Sequence, residues 1–286
     1  MKKIIILAFL FIYSVLSFAQ KTKSVAYELN CYFQPIGTVT NVNFKCLLPR
    51  HLEGAQQVDS LVFSQDAEEV FYKEDNIYAR FVVRKPHSDF IINVKVYLTI
   101  FENDLNSKSI RKDTTDLLKY TMSEMYLESD HPEIKSIASR FLTKSRNQTV
   151  KGIYNYVSQN VTYTVENPQD MGALYALRVK KGDCTEFADL FVALCRANNI
   201  PARVIEGVLV KNQKSVNHNW AEVYFEDRGW VTFDPTAKSF AHLDNEYIQL
   251  TNNRTNQELD GKHYWFFKYW GDSIKCVDNI KGYMVN

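Results

Sequence analysis

The sequence predicts an α+β protein with a β-sandwich at its N-terminal end. Three observations carry this. Residues 24 to about 105 read as short strands without a helical pattern. Helical spacing takes over between about 114 and 198. After residue 202 the chain returns to strands.

The chain opens with the pattern of an export signal. Lys2-Lys3 is a basic start, Ile4 to Leu16 an apolar stretch and Ser17-Phe18-Ala19 a small-x-small cleavage site. Gln20 is therefore the expected mature N-terminus, and the protein is expected to be periplasmic or secreted. The alternative is a retained anchor, but the apolar stretch is shorter than the ~20 residues a spanning helix needs. No other segment reads as a membrane span. No cysteine follows the apolar stretch directly, so no lipid anchor is expected. Removing residues 1–19 leaves 267 of the 286 residues (286 − 19), enough for one large domain or two ordinary ones. The formal charge of +1 becomes −1 without Lys2 and Lys3 (+1 − 2), a balance that argues against nucleic acid as a main partner.

Ser24 to Phe33, Val39 to Leu48, Gln57 to Ser64, Glu69 to Phe71, Ile77 to Val83 and Phe90 to Phe101 are rich in β-branched and aromatic residues. In the last, Ile92, Val94, Val96, Leu98 and Ile100 share one face. Pro35-Ile36-Gly37, Asp75-Asn76 and Lys85-Pro86 read as turns between them. Six short strands suggest a sandwich of about 80 residues. The polar run Asn103 to Asp116 reads as a connection between a first domain, 20–106, and a second, 107–286.

In the second part, Thr114 to Met125 reads as a helix or an extended arm. Pro132 to Phe141 and Thr149 to Val161 read as helices, and Ala173 to Val179 as a short helix or turn. A strongly periodic helix runs from Thr185 to Asn198, stopped by Asn198-Asn199 and Pro201. Strands follow at Ala202 to Val210, His218 to Phe225 and Gly229 to Phe233. The aromatic tail from Lys238 to Asn286 is expected to pack on that sheet and end in a short strand.

Cys184 stands at the start of the periodic helix. Asp183 before it is a good N-cap, and Glu186 three residues later completes a capping box. A thiol in the first turn meets free backbone N–H groups and the positive end of the helix dipole, which favour an anion. Asp183 and Glu186 oppose this, so an imidazolium is needed beside the sulfur. A buried structural cysteine, such as Cys195 further along the same face, is the plain alternative.

His218 opens a strand and Asp234 closes one. Each alone is unremarkable. They stand 16 residues apart (234 − 218), an even number, around a hairpin-like connection at Glu226 to Gly229, so both can face one side. A turn centred near Glu226 sets them directly opposite. The Arg228-Gly229 signal lies later, so a bulge or a wide early turn is expected to restore the pairing. Trp220 shares the His218 face, either shielding the imidazole at a cleft or filling core. Arg203 and Glu206 read as a structural or surface charge pair. His51, His87 and His131 read as surface residues.

Five cysteines is an odd number for an exported chain. Cys31 and Cys46, both in the β-rich region, can pair, leaving Cys195 and Cys276 beside Cys184; buried free cysteines are common too. There is no CxxC or Cys/His cluster and no glycine-rich phosphate loop. No metal and no cofactor is therefore expected.

The residues Gly182-Asp183-Cys184, Leu190 to Arg196, Asn199 to Arg203, His218-Asn219-Trp220-Ala221-Glu222-Val223-Tyr224 and Gly229-Trp230-Val231 to Asp234-Pro235-Thr236 resemble the transglutaminase-like superfamily, within the wider papain-like group. The first region resembles the immunoglobulin-like domain that often precedes this core in exported bacterial proteins. The resemblance implies a core of helices packed on an antiparallel sheet, with Cys184, His218 and Asp234 as a catalytic triad. Asn219 departs from the usual alanine. The expected activity is acyl transfer from an amide of a peptide or protein, to water or to an amine, through a thioester. The Cys184 N–H and, as a second donor, Tyr163 or a nearby amide are the expected oxyanion ligands. A scaffold that kept the fold without catalysis and presents its β-sandwich to a partner is the rival expectation. The oligomeric state is not legible.

Overall fold

The computed structural model describes residues 21–104, 116–165, 169–211, 214–252, 254 and 256–285. The first five strands are β1 (Thr22–Leu48), β2 (Gln56–Phe63), β3 (Glu69–Lys73), β4 (Asn76–Arg84) and β5 (Phe90–Phe101). They form one antiparallel sheet in the order β2-β5-β1-β4-β3, and the C-terminal strand β14 (Trp265–Met284) also pairs with β1. The N-terminal half of β1 pairs with β5, from Thr22↔Phe101 to Phe33↔Phe90. Its C-terminal half pairs with β4, from Asn41↔Arg84 to Leu48↔Ile77. Changing partner midway curls the sheet onto itself. Phe63 of β2 therefore meets Phe81 of β4 edge to face at 5.2 Å, although those strands are not neighbours in the sheet.

The sandwich thus takes the form of one folded sheet rather than two separate ones. Its filling includes the β5 face read from sequence: Ile92, Val94, Val96, Leu98 and Ile100 are all buried. Pro35-Ile36-Gly37 is a bend inside one long strand, not a turn between two. The chain does not reverse there because both halves of β1 pair with the same β14. The register shifts between Ile36 and Asn41 absorb the bend. Gly37 takes φ +75°, and Asp272 accepts from the Thr38 N–H at 2.8 Å.

The tail differs in the same way from its expected short strand on the second sheet. It runs as a strand of 20 residues along β1, from Val25↔Met284 to Cys46↔Trp265. Its inward residues explain this. Trp265, Phe267, Ile274 and Ile280 pack into the first core, where Trp265 stacks near Phe44.

The polar connection lies largely outside the described residues. At its start β6 (Asn103–Asp104) pairs with β12 (His242–Leu243). Beyond it a turn of 3-10 helix covers Leu117–Thr121, where a helix or an arm was expected. Then come α1 (Pro132–Ala138), α2 (Arg146–Asn160), β7 (Thr162–Tyr163), α3 (Ala173–Val179), β8 (Lys181–Gly182) and α4 (Cys184–Ala197). His131, expected as a surface residue, caps α1 by accepting from Glu133 N–H at 3.2 Å.

The second sheet is antiparallel, in the order β11 (Gly229–Phe233), β10 (Lys214–Phe225), β9 (Ala202–Lys211), β13 (Tyr247–Thr251). Helix α4 is buried from Thr185 to Arg196. It packs on the sheet through Ala202, Val204, Ala221 and Val223 and is wrapped by the other helices in one core. A burial pattern that covers every side needs neighbours all round. Strand β9 serves both cores: Val204 faces the helices, while Val208 and Val210 belong to the core of the first sheet. No helix among the described residues is long and apolar enough to cross a membrane.

Candidate active site

The local chemistry of Gly182-Asp183-Cys184 sets where the sulfur stands. Asp183 takes extended backbone and its carboxylate accepts from the Thr185 N–H at 2.7 Å. Glu186 returns the bond, its Oε2 accepting from the Asp183 N–H at 3.0 Å. Its Oε1 accepts from Met171 N–H at 2.9 Å, which ties the segment before α3 to the same turn. Gly182 leaves room for this: a Cβ there would lie 2.4 Å from the Glu186 Cβ. Cys184 is the first helical residue and is half-buried, while Cys195 on the same helix is fully buried.

His218 comes from β10. Its Nε2 lies 2.6 Å from Asp234 Oδ2, and the Cys184 side chain is near enough to help raise the ring's pKa. Asp234 is fully buried with both oxygens engaged. Oδ1 accepts from the Thr236 and Ala237 N–H groups at 3.0 and 2.9 Å, and Oδ2 accepts from the Tyr247 hydroxyl at 2.9 Å as well as facing His218. With Nε2 held by the carboxylate, Nδ1 is the ring nitrogen left for the sulfur. Burial acts to lower the His218 pKa. The hydrogen bonds to Asp234 and Cys184 outweigh it, and the ring is pushed up to about 10.

The structure brings His218 and Asp234 together without the expected bulge. The β10–β11 ladder runs unbroken from Ala221↔Phe233 to Phe225↔Gly229 around a short loop, with Arg228 N–H donating to Phe225 C=O at 3.2 Å. The turn signal at Arg228-Gly229 was thus correct, and the expectation of a restored direct pairing is corrected. Asp234, one residue past the end of the ladder, falls level with Trp220 by that register and meets His218 on the diagonal. Diagonal neighbours are only ~7–8 Å apart, a gap that an imidazole and a carboxylate close between them.

Trp220 is 1 % exposed and sits behind the site, its ring centre 6.2 Å from that of His218 and 5.2 Å from that of Tyr247. It lines a partly open cavity of about 30 Å³ between the two sheets, with Leu52, Gln56 and Tyr247. Tyr163 pairs with Gly182 across β7 and β8 and is 56 % exposed. Its hydroxyl pKa is raised, first by partial burial and then by the nearby Cys184 and Asp183.

Arg203 and Glu206 do not pair with each other. Three positions apart on β9, they point to opposite faces. Arg203 pairs with Glu222 at 2.7 Å, both wholly buried, its guanidinium lying 3.9 Å from the Trp230 ring centre. Glu206 instead belongs to a second buried network that sequence reading missed. Arg254 grips Asp189 of α4 with two bonds, 2.7 and 3.1 Å, and reaches Asp170 at 2.9 Å. His263 lies 3.0 Å from Glu206. Five segments far apart in sequence meet here, so no local pattern announces it.

Two more positions escaped the sequence reading. Tyr247 holds Asp234, as described. Asn219, the departure from the usual alanine, is buried and donates to Thr185 Oγ1 at 2.9 Å. It fastens the strand of His218 to the first turn of the Cys184 helix. Its position between His218 and Trp220 was the available signal. Among the described residues no cluster of His, Cys, Asp and Glu is arranged to hold a metal ion.

Known proteins resemble this arrangement. Residues 135–235 match the model of the transglutaminase-like superfamily. That match covers about a third of the chain and includes Cys184, His218 and Asp234. The uncharacterized protein YebA of Bacillus subtilis (strain 168) is 29% identical over 160 residues, 47% of this chain and 21% of that protein. The matched part is thus about a fifth of that protein's length. In three dimensions, a crystal structure of a candidate cysteine protease from Cytophaga hutchinsonii has the same fold, with a TM-score of 0.65 over 93% of this chain and 92% of that one, at 17% identity. The periplasmic domain of TgpA from Pseudomonas aeruginosa aligns at a TM-score of 0.43 and 16% identity, over 72% of this chain and 75% of that one.

Proposed function

We propose that this chain is an exported cysteine-dependent acyl-transfer enzyme that acts on amide bonds of peptides or proteins. The observation that carries the reading is the string from the Cys184 thiol through the His218 ring to the buried Asp234 carboxylate. Cys184 attacks the carbonyl carbon with its proton already held by the charged His218 ring. The imidazolium then protonates the leaving amine, and a thioester remains on the sulfur. Asp234 holds the ring in the tautomer that leaves Nδ1 toward the sulfur and stabilises the charged ring. The N–H of Cys184, at the free end of α4, and Tyr163 beside it serve as oxyanion donors. Water or an amine then releases the acyl group. Hydrolysis is the favoured outcome, because water reaches a half-buried thioester unless an amine site excludes it. The leader-like residues 1–19 support export to the periplasm or medium.

The test is labelling followed by turnover. At about pH 6 iodoacetamide should modify Cys184 well faster than a free thiol, because the ordinary thiol is protonated there. Peptide mixtures should then be cleaved, or glutamine side chains deamidated or joined to an amine, by wild type and not by Cys184→Ala. Labelling no faster than a free thiol, with no turnover, would leave a catalytically silent scaffold as the reading.

A further inference from the structure

We infer that Cys31 and Cys276 are a disulfide pair that ties the first strand of the protein to its last. The β1–β14 register sets Phe33 opposite Cys276 and Cys31 opposite Asp278, so the two cysteines are diagonal neighbours. Both turn toward the core of the first sheet: Cys31 is fully buried in it and Cys276 is half-buried against it. The two side chains interact, and the nearness of Cys276, ahead of burial, is what raises the Cys31 pKa. A strongly twisted ribbon brings diagonal side chains closer than a flat one does.

Cys46, the partner considered from sequence, is occupied differently. It is fully buried and bonded to the backbone of Ala79. Cys195 is buried inside α4. Only Cys184 and Cys276 are not fully buried. An oxidant disulfide therefore meets Cys276 first. The Cys276 thiolate attacks it and forms a mixed disulfide, releasing one thiol of the oxidant. Cys31 then gives up its proton, attacks the Cys276 sulfur and expels the second thiol. The two cysteines are oxidised by two electrons, and the oxidant, a low-molecular-weight disulfide or a dithiol oxidase of the export compartment, is reduced to two thiols. The pairing resolves the odd cysteine count: Cys184 is left as the one partly exposed thiol, with no neighbour competing for oxidants or partners.

The experiment is a disulfide map of the full mature chain after incubation with oxidised glutathione, denaturation in N-ethylmaleimide and tryptic digestion without reduction. Trypsin separates Cys31 (residues 24–45) from Cys46 (46–50) and from Cys276 (276–281). The expected result is one linked species joining 24–45 to 276–281, with Cys46 and Cys195 carrying maleimide. The oxidised protein should melt roughly 5–10 °C above its reduced form. Cys276→Ser should remove the linked species while iodoacetamide still labels Cys184, which separates this inference from the acyl-transfer reading. Maleimide on both Cys31 and Cys276 after oxidation, or a link from Cys31 to Cys46, overturns it. The wild-type map decides the matter even where the variant does not fold.

Discussion

Asp234 hydrogen-bonds the His218 ring across a diagonal of the β10–β11 hairpin, two positions from direct opposition. The carboxylate reaches sideways, and three further hydrogen bonds hold it there. Asp234→Asn should keep the backbone bonds but present an amide to the ring. It then favours the wrong tautomer, and turnover should fall by about 10⁴. Tyr247→Phe removes one bond to a charged group and should cost about 1–3 kcal/mol of stability. Steady-state rates and urea unfolding check both. Undiminished turnover in Asp234→Asn would remove the carboxylate from the mechanism.

The titration of His218 gives a second prediction. Its pKa is raised to about 10 from an ordinary 6.5, against the effect of burial, by Asp234 and Cys184. A raised basic group stabilises the fold fully below its unfolded pKa. That contribution is lost as pH rises through the folded value, so the window is roughly pH 6.5 to 10. The imidazole resonance in NMR should move with a midpoint near 10, and both Asp234→Asn and Cys184→Ala should lower it. A midpoint staying near 6.5 in the wild type would contradict the charged ring.

Arg254 is the cation among Asp189, Asp170 and Glu206, and its side chain is 1 % exposed. Burial pushes the Asp189 carboxyl up to about 7 even with Arg254 beside it. Arg254→Met strands these acids and should cost about 3–5 kcal/mol in urea unfolding. Asp170→Asn, at the wetter edge, should cost much less. Equal losses would mean that the network does not depend on its buried centre.

Gly207 stands opposite His218 on β9. A Cβ there would lie 2.0 Å from the Ile248 carbonyl oxygen and 2.8 Å from the Trp220 ring. Gly207→Ala must push β13 and Trp220 aside, at about 1–3 kcal/mol. Because Trp220 backs the imidazole, the alkylation rate of Cys184 at pH 6 should fall too. A stable variant with an unchanged rate would show that the wall behind His218 is not needed.

Much of this site is legible in the sequence because its signals are local. The capping box around Cys184, the stop at Asn198-Asn199 and the alternation along β5 depend on neighbours within one element. Partnerships between distant segments are not legible. The tail reads from sequence as ending in a short strand, and only its inward aromatics, seen against Phe44 and Phe33, reveal the long β14 and β1 as its partner. Nothing near Arg254 in the sequence marks it, because its acids lie at 170, 189 and 206. The hairpin teaches a narrower lesson. The turn residues were read correctly and then overruled by the assumption that paired side chains must stand face to face.

The zipped ends of the chain impose an order on assembly. Strand β1 forms early, but its outer edge waits for β14, which follows every other described strand in the chain. Contacts of such long sequence separation form slowly. Throughout synthesis the early sheet stays open along one side, a ready template for the wrong strand. Cutting the chain between its halves would strand twenty residues of β14 without their mate, so the half that bears Cys184, expressed alone, should clump rather than dissolve.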